Sequence, residues 1–452
     1  MTATATREAL LDDIRHILQS DDPATALLER VESLQPYDLD EILQELTLDE
    51  QLTFLSALPF SLAAETLEYA EPERQYQILH HLNVSITSRL LRHMSSDTVV
   101  DMLLSLHPLQ QARLLDLLPD DYRQKIDTLM TFPEDTAGSL ATVEYISARV
   151  SWTVEQALSH VRKVGHEAEL ISYIYVINVY GELVGVVSLK DAILAPPDTR
   201  LRDIVTSDVI SVSAHLPQED AADILTRYDF VALPVVSEQR LIGIITVDDL
   251  IDVIHEEATE DIQKLGGSQP LSESYFKTPI WVLFRKRIVW LVFLFVAAAY
   301  TGTIMHYFED VLSQMVSLSF FIPLLIGTGG NTGSQTVSTL VRALAVGEVT
   351  FQDMFRVLAR EIATGLLLGL ALGAIAYVRA AMLGVDFKVG AVVSLTAFAI
   401  VIWASIVAAV LPLILHRLKM DPAVVSAPLI TTLVDGTGLI LYFTIARLIL
   451  NL

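Results

Sequence analysis

Cysteine is absent from the 452-residue chain, which excludes a disulfide scaffold, a thiolate metal site and a cysteine nucleophile. Positive charge is scarce: 30 Lys and Arg stand against 55 Asp and Glu, a net charge of −25. The shortage is regional. Residues 1–270 hold 46 acidic and 18 basic side chains, whereas 271–452 hold 9 and 12. Such an acidic region repels nucleic acid and anionic lipid and suits cations. No phosphate loop, nucleophile motif or Ser-His-Asp arrangement with usable context is found, so no enzyme is expected. The histidines are scattered, and His80-His81 reads as helix surface. Residues 1–18 contain acids and no continuous apolar core, so the first half is expected to stay in the cytoplasm.

Long apolar runs are confined to the second half. Five stretches, Ile288–Met305, Leu312–Ala343, Phe355–Ala381, Gly390–Leu415 and Ala423–Leu450, can each span the roughly 30 Å of a bilayer core. Arg285, Lys286 and Arg287 precede the first. Arg342, Arg356 and Arg360 lie between the second and third, and Arg417 and Lys419 between the fourth and fifth. Lys and Arg mark the cytoplasmic side, which places the acidic half inside and the C-terminus outside.

Two spans break the apolar rule. The second contains Gly327-Thr328-Gly329-Gly330-Asn331-Thr332-Gly333-Ser334-Gln335. Glycines at this density allow close helix packing, but Asn331 and Gln335 add polarity that packing does not require, so the stretch is expected to line protein or water. The fifth carries Asp435 among threonines and glycines, and no Lys or Arg within the spans is an obvious neutralising partner. Such a carboxylate hydrogen-bonds to the threonines, protonates or meets a cation. Asp421 is expected at the inner end of the same helix, about 21 Å from Asp435 at 1.5 Å per residue, either as a helix-terminal acid favoured by the dipole or as a mouth ligand. Magnesium prefers oxygen ligands and keeps several waters; Asp435, Asn331 and exposed backbone carbonyls offer that chemistry. One carboxylate per chain is little for a divalent ion, so two chains sharing a two-fold axis are expected.

The first half contains a repeat. Gly181–Ile193 matches Gln239–Ile251 at an offset of 58 residues. Each copy follows an apolar strand, Tyr173–Asn178 or Val231–Val236, and a helix, Thr153–Arg162 or Gln218–Tyr228. These units resemble a tandem pair of CBS domains. Before them, residues 7–131 read as a solenoid of short amphipathic helices, Leu39–Leu46, Asp49–Leu58, Ala63–Tyr69, Arg74–Leu82, Ile86–His93, Ser96–Leu106 and Leu109–Leu118. After them, Asp248, Asp249, Asp252, Glu256, Glu257, Glu260 and Asp261 crowd one predicted helix. Four of these recur every fourth residue, a spacing that weakens a helix by a few tenths of a kcal/mol per pair. Solvation or divalent cations can relieve it.

Phe321–Gln335 (FIPLLIGTGGNTGSQ), Asp421–Tyr442 (DPAVVSAPLITTLVDGTGLILY) and Ala258–Gly266 (ATEDIQKLG) resemble signature stretches of the MgtE family of magnesium channels. The order of parts matches too, over essentially the whole chain. The resemblance implies a multidomain membrane protein: a superhelical α-helical N domain (1–131), an α/β tandem CBS pair (132–200 and 201–255), a long acidic connecting helix (247–270) and an all-α five-helix transmembrane domain (271–452). It implies a homodimeric magnesium channel of a bacterial inner membrane, closed by cytoplasmic magnesium. Carried over by motif, Asp435 is similar to the pore carboxylate with Asn331 beside it, and Asp421 and Asp261, with Glu260 next to it, to mouth acids. Asp249 and Asp252 match sensor acids of the connecting helix, and Glu219 and Asp229 those of the second CBS domain. Glu65, Asp97 and Asp101 resemble N-domain acids, although Thr98 stands where relatives have a second acid. The resemblance also implies ATP near Tyr173 and Lys190.

The expected mechanism has magnesium ions bridging acidic surfaces and holding the pore shut; when magnesium falls, mutual repulsion separates the domains. Two other readings are a broader pathway for cobalt, nickel or manganese, and a membrane-tethered metal or nucleotide sensor that conducts nothing. The lack of cysteine, and of histidine in the pore stretches, disfavours a site tuned to soft metals.

Overall fold

The computed structural model describes residues 2–20, 22–271, 275–418, 420–421 and 426–451, with residues 2–8 as backbone only. The chain divides into two units, Met1–Ile254 and His255–Leu452.

Among the described residues, the first unit opens with ten short helices: α1 (Thr2–Leu18), α2 (Pro23–Val31), α3 (Pro36–Glu45), α4 (Leu48–Ala57), α5 (Phe60–Glu68), α6 (Pro72–His81), α7 (Val84–His93), α8 (Ser96–Ser105), α9 (Pro108–Leu115) and α10 (Asp120–Leu129). Proline opens α2, α3, α6 and α9, where its missing N–H has no intrahelical role to lose. Thr47 and Glu50 form a capping box on α4. Alternate helices stack, α3 on α5, α4 on α6, α5 on α7 and α6 on α8, burying Leu39, Phe54, Leu67, Ile78 and Leu90 completely. Short helices leave C-terminal carbonyls unpaired, and a repeated device answers this. Buried Gln51 donates to the carbonyls of Leu43 (3.0 Å) and Leu46 (2.8 Å), and buried Gln75 to those of Leu67 (3.2 Å) and Ala70 (2.9 Å).

Two three-stranded sheets follow. In the first, β1 (Tyr145–Arg149) runs parallel to β2 (Leu170–Ile177), which pairs antiparallel with β3 (Leu183–Ser188); α11 (Val154–Val164) lies between β1 and β2, and α12 (Leu189–Leu194) and α13 (Leu201–Ile204) follow. The second repeats this with β4 (Val212–Ser213), α14 (Gln218–Tyr228), β5 (Ala232–Ser237) and β6 (Arg240–Thr246), leading into α15 (Val247–Leu265). The linkers cross over. Thr142 bridges to Ile244 of the second sheet, and Thr206 to Val186 of the first. The helical core and the second sheet share one apolar cluster, from Leu11 through Leu129 to Leu233 and Val253.

The second unit contains α16 (Ile280–Tyr307), α17 (Glu309–Gln314), a 3-10 turn (Val316–Phe321), α18 (Ile322–Ala345), a second 3-10 turn (Phe351–Asp353), α19 (Met354–Met382), α20 (Phe387–Arg417) and α21 (Ala427–Leu450). Among the described residues, four helices are long and apolar enough to cross a membrane: α16, α19 with its preceding turn, α20 and α21. Three expectations change. Helix α16 begins at Ile280, so Arg285, Lys286 and Arg287 lie within it. The stretch Leu312–Ala343 is not one helix: Pro323 sits in the first turn of α18, where its ring blocks continuation backwards, and α17 and the 3-10 turn precede it. Helix α21 starts at Ala427, capped by the Ser426 hydroxyl, which accepts from the Leu429 N–H (3.4 Å). Asp421 therefore lies before α21, and the 21 Å helical separation from Asp435 does not hold; Lys419, Pro422 and the expected helical start at Ala423 lie outside the described residues.

Candidate cation sites

In the membrane unit, α18 packs against α20 and α21, and its glycines set how closely. A Cβ at Gly329 would lie 2.6 Å from Ile400 Cγ2 and 2.7 Å from Val434 Cγ1, and one at Gly333 would lie 2.5 Å from Ile430 Cγ2. These glycines serve helix packing. The polar side chains occupy another face: Asn331 and Gln335, four residues apart, are both exposed, and Gly327 beside them meets nothing. A face of amide groups and open backbone cannot remain against hydrocarbon. The pairing of Gly330 and Ser334 with Thr431, whose hydroxyl is 3.3 Å from that of Ser334, sets α18 against α21 one turn before Asp435. Asp435 itself is half-buried, and its Oδ1 is enclosed without a hydrogen-bond partner. The threonines of α21 do not satisfy it. Thr431, Thr432 and Thr437 donate to carbonyls of their own helix, at Ala427, Pro428 and Leu433.

A second acidic site lies in the same unit, at the end of α15. Lys264 Nζ bridges Glu260 on its own helix and Asp421 Oδ2 at 2.6 Å. Burial alone lowers the ammonium pKa, but hydrogen bonds to Asp421 and Glu260 outweigh it and hold the group above its ordinary range. Asp261 is pushed up by burial and by the nearby charge of Asp421, with Lys264 opposing. Of the acids expected at the mouth, Glu260 and Asp261 lie near Asp421. The sequence expectation missed that a lysine already serves as their counter-ion.

The first unit gathers a larger acidic cluster from three parts of the chain. Helices α5 and α8 bring Glu65, Glu68, Asp97 and Asp101; the strand approaches of the first CBS domain bring Glu144 and Glu169; the start of α15 brings Asp248 and Asp249. Glu68 accepts the Ser95 N–H, and Glu144 accepts from the Ser96 hydroxyl (2.7 Å), so two carboxylates bind the N-terminus of α8. Asp249 accepts from the Thr246 hydroxyl (2.6 Å) and N–H (3.2 Å), capping α15. Burial, then the charges of Asp97 and its neighbours, raises Glu68 to about 8. Burial, then Asp249 and Asp248, raises Glu169 to about 7. Asp97 and Asp249 rise in the same direction: burial comes first in both, followed for Asp97 by the charges of Asp101 and Glu169 and for Asp249 by those of Asp97 and Asp248.

Other expected residues are not gathered. Glu219 opens α14 and Asp229 ends it in a left-handed conformation, about 15 Å away along the axis. Asp252 lies exposed on α15. Among the described residues, no three acidic or histidine side chains form a preformed metal cage. Between the two sheets, Tyr173, Tyr175, Thr206, Asp208, Phe230 and Pro234 help line a cavity of about 150 Å³; Lys190 is exposed and outside that lining. Glu68, Glu144 and Glu169 were not legible as site residues, because the signal that unites them is the tertiary approach of α8 to the CBS pair. Glu260 and Lys264, by contrast, have a readable spacing of four.

Comparison with known proteins agrees with this layout. The model of the MgtE family, described as a divalent cation transporter, matches residues 322–445; an MgtE intracellular N domain matches 34–135, and CBS domains match 137–198 and 201–256. The chain is 39% identical over 448 residues to the magnesium transporter MgtE of Thermus thermophilus, covering 98% of this chain and 99% of that one. It is 33% identical over 421 residues to its Bacillus subtilis counterpart, covering 92% of each. A crystal structure of the cytosolic domain of the Mg2+ channel MgtE in complex with ATP aligns with a TM-score of 0.50 at 38% identity, covering 54% of this chain and 99% of that one. The soluble part of a magnesium transporter aligns with a TM-score of 0.52 at 31% identity, covering 56% and 99%.

Proposed function

This chain belongs to the MgtE family, and we propose that it is a magnesium-selective channel that admits Mg2+ and is closed by cytoplasmic Mg2+. The observation that carries the pore assignment is the enclosed, unpartnered oxygen of Asp435 on a membrane helix. A carboxylate there stays ionised when a cation compensates it, and a hydrated magnesium ion supplies both charge and hydrogen-bond donors. Helix α18 counts as a fifth span in this reading, although its glycines, Asn331 and Gln335 dilute its apolar character. Its exposed amide face is covered when two copies pair about a two-fold axis, which sets two Asp435 carboxylates and two Asn331 amides along one pathway.

The cytoplasmic acids form the sensor. Glu65, Asp97, Asp101, Asp249 and Asp252, joined by Glu68, Glu144, Glu169 and Asp248, repel when bare and hold together when Mg2+ bridges them. Glu219 and Asp229 belong to the same sensor through surfaces that a single chain leaves open. Asp421, Glu260 and Asp261 act at the cytoplasmic mouth. Ions that bind the closed arrangement preferentially shift the population toward it, and several modest sites together give steep closure. ATP bound at Tyr173 and near Lys190 tunes that equilibrium; the cavity between the sheets and the ATP complex of the related cytosolic domain support this. The N-terminal half faces the cytoplasm, and the membrane is a bacterial inner membrane.

Reconstituted wild type is expected to carry Mg2+ current that falls as internal Mg2+ rises, and Asp435→Ala to carry none. Wild-type current that persists in Asp435→Ala refutes the pore assignment. A broader divalent pathway is the second reading, favoured by the family's description and by a donor set made only of oxygen; equal uptake of Co2+ and Mg2+ at matched concentrations establishes it.

A further inference from the structure

Helix α16 presents two polar groups to α21 among the described residues: the Trp290 indole donates to the N-cap Ser426 at 3.1 Å, and the Tyr300 hydroxyl reaches the turn that carries Asp435. The Tyr300 hydroxyl donates to the carbonyls of Thr432 and Leu433, each at 2.9 Å, and accepts the N–H of Gly436 at 3.1 Å. In an α-helix the Gly436 N–H pairs with the Thr432 carbonyl. Here a phenol from the neighbouring helix lies within hydrogen-bond reach of both ends of that rung, while α21 runs as one helix from Ala427 to Leu450. Asp435 lies between the bonded carbonyls and the bonded N–H.

The glycine makes this possible. A Cβ at position 436 would lie 2.0 Å from Cε2, 2.1 Å from Cζ and 2.3 Å from Oη of Tyr300. With the ring held where its hydrogen bonds to α21 place it, a side chain at 436 has no room, so ring and glycine are complementary. The next turn is tied separately: Trp403 of α20 donates to the Thr437 hydroxyl at 2.8 Å, which donates in turn to Leu433. The backbone around Asp435 is thus held from two neighbouring helices, while its own Oδ1 is left without a partner.

We propose that Tyr300 is a positioning residue: seated at the notch made by Gly436, it ties α16 to the α21 backbone on either side of Asp435 and fixes where that carboxylate points, and so how a hydrated cation fits. This rests on the reading of Asp435 as the pore carboxylate. Tyr300 does not touch the ion; it acts through the α21 backbone.

The test is Mg2+ current in planar bilayers for the full-length channel, with Asp435→Asn measured beside it. Tyr300→Phe keeps the ring and removes the hydroxyl. It is expected to raise the half-saturating Mg2+ concentration by about three- to tenfold, the scale of one lost hydrogen bond, and to lower the Mg2+-over-Ca2+ current ratio. Gly436→Ala is expected to abolish current. Tyr300→Ala combined with Gly436→Ala is expected to regain part of it, because the methyl then has room. A purely structural ring contact would leave selectivity unchanged in Tyr300→Phe. Wild-type half-saturation and selectivity in Tyr300→Phe overturn the inference, as does a double variant as silent as Gly436→Ala. If Asp435→Asn conducts like wild type, the pore reading fails instead; if it is silent while Tyr300→Phe is normal, only the role of Tyr300 falls.

Discussion

Carboxylates are handled in opposite ways in the two halves of this molecule. On α21 of the membrane unit Asp435 is the single acid, and the helix's threonines bond to their own backbone and leave its Oδ1 unsatisfied. In the first unit Glu65, Glu68, Asp97, Glu144, Glu169 and Asp249 crowd together, and several are held by hydroxyl or amide donors. In the function proposed above, a single acid in apolar surroundings offers a cation one strong but escapable contact, which suits conduction, and crowded acids offer many contacts that exist only while they are together, which suits closure. Two carboxylates about 5 Å apart repel by roughly 3 kcal/mol at an effective dielectric of 20, so the crowded arrangement needs protons or metal to persist.

The largest effect that separates the two roles is expected at the lone acid. Asp435→Ala should reduce Mg2+ current by at least about a hundredfold, which at 1.4 kcal/mol per decade is roughly 3 kcal/mol of lost ion stabilisation; closure by internal Mg2+ is then no longer measurable by current. Relieving the crowd should do the reverse. Asp97→Asn with Asp249→Asn should leave maximal current intact and shift the half-closing internal Mg2+ about tenfold upward, the scale of one or two lost charge-assisted contacts, read from current against internal Mg2+. A smaller shift, about two- to fivefold upward, is expected for Lys264→Met, which releases the end of α15 from Asp421; a partly exposed ion pair is worth about 1 kcal/mol or less.

Proton linkage gives the smallest effect. Glu68 at about 8 and Glu169 at about 7 bind protons more tightly folded than unfolded. Their contribution is therefore fully present below the ordinary carboxylate range and is lost as pH rises through about 7 to 8. Without divalent ions, the full chain in detergent should melt a few degrees lower at pH 8.5 than at pH 6, and added Mg2+ should restore more of the loss at the higher pH. A melting temperature independent of pH across that window would mean the cluster is already neutralised by other means.

Much of this organisation was readable before the structure. The solenoid helices follow from apolar periodicity closed by proline and capping residues, and the sheets from a repeat of 58 residues. What escaped depends on tertiary contact. The glycine stretch of α18 read as lining protein or water more than as packing; the neighbours Ile400, Ile430 and Val434 assign Gly329 and Gly333 to packing, while Asn331 and Gln335 lie exposed. Glu144 and Glu169 carry no local pattern, and their place is set by how the CBS strands meet α8. The break before Pro323 was hidden because hydropathy continues through it, although the proline itself was a signal. Tyr300 sits in an apolar run without distinguishing marks, and nothing in sequence connects it to Gly436.

The most direct test of this division is current through the full-length channel as internal Mg2+ is stepped from micromolar to millimolar, for wild type and for Asp97→Asn with Asp249→Asn. The account predicts equal currents at low internal Mg2+, closure of wild type as it rises, and closure of the double variant only at about tenfold higher concentration. Coincident closing curves would contradict it, because the crowded acids would then have no part in sensing.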